Sequence, residues 1–226
     1  MRGRNFLFVL LLNGLSANAE SRVLQEPAYC GPERFLSSEL QVPGSASVQR
    51  LRAFRVGQTT LAGMAIGLSQ ALDVQKVAET FSATPEEKFC TWYLNSGNEE
   101  AEKLFHHIYL DSPLQMTPAG AAAKYRELLE SFFTGSQSGA NFISCLENQK
   151  YLAFGCNGQS HRGPAVFGML LTFSGCSPES AEQIVNQLWG LNGVDVKVRL
   201  AILNEAFELG NEHPDLRARL QDFFDF

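Results

Sequence analysis

An all-α fold, packed as an irregular helical bundle or as stacked helical hairpins and stapled by disulfides, is the class this sequence predicts. Two observations predict it. Helix-start signals recur, with Pro placed directly behind a capping residue at Thr84-Pro85, Thr117-Pro118 and Ser177-Pro178. Behind most such starts the apolar residues return with the 3.6-residue period that gives a helix one buried stripe. The chain has 226 residues, 45% apolar and 19% charged, which excludes collagen, coiled-coil and low-complexity classes and suffices for a sizeable core without a structural metal.

Arg2 and Arg4 precede an apolar run from Phe6 to Leu12, and Ala17-Asn18-Ala19 fits the small-residue cleavage pattern of a secretory signal peptide. The run is well short of the roughly 20 residues needed to span a bilayer. Residues 1–19 therefore read as a signal peptide, residues 20–226 as one all-α domain, and the mature chain as exported with no membrane span. Cleavage removes two arginines and no acid, leaving 16 basic against 24 acidic side chains and a formal net charge of −8. That sign argues against nucleic acid as a partner.

Next come weaker helix starts at Gly31-Pro32, Gly163-Pro164 and His213-Pro214, and an arginine cluster, Arg50, Arg52 and Arg55, that reads as a solvated helix face. From Thr60 to Leu72 the stripe Leu61, Met64, Ala65, Leu68 and Leu72 has small or apolar residues opposite it, which predicts a central helix, with a buried strand as the alternative. Gly63 and Gly67 would let a neighbouring backbone approach closely. Thr84 with Glu87 forms a capping box.

After Asn98, the residues Ala101, Leu104, Phe105, Ile108 and Tyr109 make one helical face. His106 and His107 flank it with acids one turn away, Glu102 and Asp111, which is ordinary surface pairing rather than a metal site. After Pro118 the stripe is Ala121, Ala122, Tyr125, Leu128, Leu129, Phe132 and Phe133, closed by Gly135. After Pro178 it is Ala181, Ile184, Val185, Leu188 and Trp189, closed by Gly190. Then come Val196, Leu200, Leu203 and Phe207, closed by Gly210, and finally Leu216, Leu220, Phe223 and Phe224.

Five cysteines, all outside the leader, fit an oxidising compartment. Two bridges and one spare thiol can be arranged in about 15 ways. Cys156 with Cys176 is favoured because both lie in Gly-rich loops flanking one predicted helix, which pairs Cys30 with Cys90 by elimination and leaves Cys145 as a buried spare. No spacing matches a zinc or C-x-x-C redox site, so no metal or cofactor is expected.

The most unusual local sequence runs from Gly155 to Pro164, a polar Gly-rich loop delivered onto the apolar segment Ala165 to Phe173. The free N–H groups of a helix start, with donors from His161 and Arg162, make a site for a carboxylate or another anion. Asn157, Gln159 and Ser160 would orient such a ligand or a sugar hydroxyl. The competing reading is a solvent-facing turn anchored by a Cys156 bridge. The functional expectation is non-catalytic binding of a protein, peptide or cell-envelope component. The alternative is an exported hydrolase of cell-wall polysaccharide or peptide, using His161 or a helix-end carboxylate such as Glu33, Glu39, Asp73 or Glu179.

Overall fold

The computed structural model describes residues 25–42, 48–57, 59–69, 73–74, 76–77, 89–134, 142, 145, 151–191 and 196–225. Residues 1–19, the capping box at Thr84 and the stop at Gly135 lie outside them.

The all-α expectation is overturned, because a five-stranded mixed sheet runs through the protein in the order β1-β2-β5-β3-β4. Its strands are β1 (Arg52–Val56), β2 (Thr59–Ala65), β3 (Phe89–Tyr93), β4 (Phe105–His107) and β5 (Tyr151–Cys156). β1 and β2 form an antiparallel hairpin turning at Gly57 (φ +55°), while β2, β5, β3 and β4 are mutually parallel. β2 and β5 are buried along their whole length on both faces. Such strands are near-continuous apolar runs without a period of two, which is why residues 60–65 resemble one side of a central helix.

Successive side chains point to opposite faces of the sheet. Phe54, Leu61, Trp92, Leu152, Phe154 and Cys156 enter the larger core, while Ala53, Ala62, Met64, Tyr93, Tyr151 and Ala153 enter a smaller one. Over the larger core lie α1 (Pro32–Ser37), α3 (Pro118–Thr134), α4 (Arg162–Ser174), α5 (Pro178–Trp189), α6 (Val196–Glu212) and α7 (Pro214–Phe224). The short α2 (Glu99–Leu104) covers the smaller core through Ala101. Among the described residues no helix is long and apolar enough to cross a membrane.

The helix starts at Thr117 and Ser177 form as the caps dictate. Thr117 Oγ1 accepts from the Gly120 N–H at 3.2 Å and Ser177 Oγ accepts from the Ser180 N–H at 3.2 Å, and Gly190 ends α5 in the left-handed conformation. The helix expected through Tyr109 instead stops at Leu104, and Phe105–His107 pair with β3 as the edge strand. His106 is buried and stacked on Trp92 at 5.1 Å, and His107 lies beside Glu102, at 3.9 Å.

α6 runs through Gly210 rather than ending there. Its buried face is Arg199, Ile202, Leu203, Ala206, Leu209 and Gly210, rotated from the expected stripe. Arg199 is accommodated in the core because its guanidinium meets the Glu182 carboxylate of α5 at 2.7 and 2.6 Å.

The disulfides also differ from expectation. Cys30 pairs with Cys176, tying the start of the described chain to the turn before α5, and Cys90 pairs with Cys145. Cys156 is the unpaired one, because as the last residue of β5 it points into the larger core and away from the loop that follows.

Candidate functional site

In open α/β sheets, ligands settle beyond the carboxyl ends of parallel strands, where adjacent strands send their connections to opposite faces. The Asn157–His161 loop occupies such a place. β5 continues into α4 over the larger core, whereas its neighbour β3 leads to α2 and its other neighbour β2 leads to Ile66, both over the smaller one. Glycines let the loop fit. A Cβ on Gly67 would fall 2.8 Å from the Asn157 Cα, so the close approach expected at this glycine is real, though it is made from the segment following a strand.

The five residues expected to orient a ligand are differently disposed. Asn157 is exposed, yet its Oδ1 accepts from the Tyr93 hydroxyl at 3.0 Å. Ser160 Oγ donates to the Gly158 carbonyl at 3.0 Å and accepts from Arg50 Nη1. His161 is the half-buried N-cap residue of α4 and makes no side-chain cap bond. Arg162, also half-buried, opens α4 and donates from Nε to the Leu110 carbonyl. Its charge is felt by Tyr93 and Tyr125: burial pushes both hydroxyls above their usual range, and Arg162 acts against that rise.

Gln159 is the exception. It is fully buried, its backbone is left-handed (φ +47°), and neither atom of its amide has a hydrogen-bond partner among the described residues. The amide lies between two glycines. A Cβ on Gly63 of β2 would fall 2.4 Å from Nε2 and 2.4 Å from Trp189 Cζ2, and one on Gly163 of α4 would fall 2.1 Å from Oε1. The carboxamide therefore fills a slot bounded by β2, the first turn of α4 and the last residue of α5.

Sequence reasoning missed Arg50 and Trp189. Arg50 precedes β1 with a left-handed φ of +51° and reaches Gly158 O at 3.3 Å and Trp189 O at 2.9 Å, while the Trp189 indole N–H returns to Arg50 O at 3.3 Å. Arg52 reaches the Leu188 carbonyl at 3.2 Å and the Glu39 carboxylate at 2.7 Å. Both arginines therefore complement the carboxyl end of α5, where the helix dipole favours a cation, instead of forming the solvated helical face expected. Among the described residues Arg52, Arg126 and Arg199 are ion-paired, but neither Arg50 nor Arg162 meets a carboxylate.

Beside the loop is an open recess of about 300 Å³ lined by Arg50, Arg52, Gln187, Leu188, Trp189 and Gly190. A larger groove, about 800 Å³, lies elsewhere, next to the Cys30–Cys176 disulfide, and is walled by Phe207 with Arg217 stacked over its ring at 5.1 Å. Glu26, Cys30 and Cys176 are close enough to share an ion, but two of the three are joined as a disulfide and supply no thiolate. No protein-family model, curated protein or solved structure matches the chain.

Proposed function

We propose that this chain is an exported, non-catalytic binding protein whose β5–α4 loop receives a ligand bearing a carboxylate, carried by a peptide or a cell-envelope component. The observation that supports this reading most is the pair Arg50 and Arg162. In a chain of formal charge −6, two guanidinium groups without carboxylate partners among the described residues flank the N-terminus of a 13-residue helix. That terminus carries roughly half a positive charge, and guanidinium groups match a carboxylate's two oxygens. The two disulfides are compatible with maturation outside the cytosol.

The hydrolase alternative has no comparable support. Of its candidate carboxylates Glu39 is engaged by Arg52, and the one unpaired thiol, Cys156, is 2% exposed within the core and so adds no nucleophile. A thiolate nucleophile needs a partly exposed, electropositive niche.

The reading is tested by titrating acetyl-Gly-Gly with a free carboxylate, and its C-terminal amide, against the wild-type chain and Arg162→Gln. A hydrogen bond to a charged group is worth about 1.5–3 kcal/mol, so the substitution should weaken carboxylate binding about tenfold or more. Equal affinity for acid and amide, or an unchanged affinity in Arg162→Gln at unchanged melting temperature, contradicts the proposal.

A further inference from the structure

We infer that Asn157 is a site of spontaneous modification: the Gly158 nitrogen attacks its side-chain amide, ammonia leaves, and the carboxylate that results switches the loop's anion site off. The modification stands on the geometry of the loop, while its effect on binding rests on the anion-binding reading given above.

Three features set the reaction up. Glycine follows Asn157, so no Cβ shields the attacking nitrogen, and the wide backbone range of glycine lets that nitrogen approach Cγ. Asn157 is exposed, so water reaches it. Its Oδ1 accepts a hydrogen bond from the Tyr93 hydroxyl at 3.0 Å, and the tyrosine itself is buried. Oδ1 is the atom on which negative charge collects when the amide carbon becomes tetrahedral. A donor already aimed at it stabilises that charge as an oxyanion hole does. Burial holds the Tyr93 hydroxyl above its usual range, so it stays protonated and able to donate in mildly alkaline solution. Gly67 makes room for this arrangement, since a Cβ there would fall 2.0 Å from Oδ1.

The atoms balance with water as the only co-reactant. The Gly158 nitrogen gives up its proton to base and bonds to Cγ, the Cγ–Nδ2 bond breaks, and Nδ2 takes a proton and departs as ammonia. A five-membered imide remains, and water opens it at one carbonyl or the other. The product at position 157 is aspartate or isoaspartate, each with a new carboxylate.

That carboxylate forms where the site can least tolerate it. Arg162 is close enough for its charge to act on the Tyr93 hydroxyl, and that hydroxyl touches Asn157 Oδ1. The product therefore places a negative charge beside one of the two guanidinium groups that a ligand's carboxylate would use. A chain that has aged in this way releases its ligand with no enzyme involved.

The test incubates the folded full chain in mildly alkaline buffer and follows amide-to-acid conversion by mass-spectrometric peptide mapping, which separates Asn157 from the other Asn-Gly steps at Asn13 and Asn192. Wild type should convert at Asn157. Tyr93→Phe, which keeps the ring and removes the donor, should slow that conversion at least about fivefold. Gly158→Ala should slow it as well, and tests the attack itself if the Tyr93 variant does not fold. Asn157→Asp should bind acetyl-Gly-Gly about threefold or more weakly than wild type, whereas the uncharged Asn157→Ser should bind as wild type does. An Asn157 that stays intact, or that converts as fast in folded Tyr93→Phe as in wild type, overturns the inference. Wild-type affinity in Asn157→Asp overturns the switch. Absence of carboxylate-dependent binding by wild type removes the anion reading and the switch with it, but conversion at Asn157 is read without any ligand and stands or falls separately.

Discussion

Gly210→Ala tests how closely α4 and α6 cross. Gly210 lies inside α6, and in a helix interior alanine is ordinarily better than glycine by about 1 kcal/mol. Propensity alone therefore predicts stabilisation. The structure predicts the reverse, because a Cβ at this position would fall 2.4 Å from the Phe173 carbonyl oxygen and 3.1 Å from its carbonyl carbon and Cα. Those are backbone atoms of α4, which cannot rotate aside as a side chain can, so the helices must separate. Overpacking of this kind costs about 1–3 kcal/mol. Separation also disturbs the next contact along the two helices, where a Cβ on Gly168 would already fall 2.9 Å from Leu203 Cδ2. The net expectation is a loss of up to about 2 kcal/mol instead of the gain of about 1 kcal/mol that propensity alone gives, with a change in Tm of about 2–4 °C for each kcal/mol in a chain of this size. Gly120→Ala is the internal control. Gly120 is an exposed residue of α3 whose added Cβ meets the Thr117 hydroxyl at 3.1 Å, and it should be neutral or stabilising. Urea and thermal unfolding of both variants give the comparison, and a Gly210→Ala chain more stable than wild type, as propensity alone predicts, would refute the close crossing.

Replacing Cys90 and Cys145 together by Ser should cost about 4 kcal/mol in the chain-entropy account of a bridge spanning 55 residues, and unchanged urea unfolding without reductant would contradict the pairing. Thiol titration without reductant should find no reactive thiol in the native chain and one, Cys156, after denaturation; two or more would contradict the connectivity. Tyr125 and Tyr151 are held above the ordinary value of 10.0 chiefly by burial. The unfolded chain then loses those phenolic protons first, so stability should be intact below about pH 10 and fall as pH rises further. Unfolding followed by phenolate absorbance checks this, and a stability flat across that range would contradict the burial of these two hydroxyls.

What the sequence makes legible follows from where each element sits. α3, α5 and α7 each bury one face, so Tyr125 and Leu129, Ile184 and Leu188, and Leu220 and Phe224 fall at helical spacing and report their environment directly. β2, β3 and β5 are interior strands, and Leu61-Ala62-Gly63-Met64-Ala65 or Leu152-Ala153-Phe154 carries no alternation to read. Arg199 hides the true face of α6, because a search for apolar stripes excludes a charged residue whose partner, Glu182, lies on another helix. The loop from Gly155 to Pro164 stands out in sequence through its glycines and polar residues. That its Gln159 is buried is not legible, because the enclosing walls, Gly63 and Trp189, come from distant segments. The cysteine pairing fails for a related reason: β5 directs Cys156 into the core, and a strand's side-chain direction is invisible until the strand is recognised.

The most direct test of the account is an amide NMR titration of the wild-type chain with acetyl-Gly-Gly. Carboxylate-dependent shifts should centre on Arg50 and Gly158–Gly163 and be lost with the C-terminal amide. Shifts that survive amidation, or that centre on the Phe207–Arg217 groove instead, would contradict it.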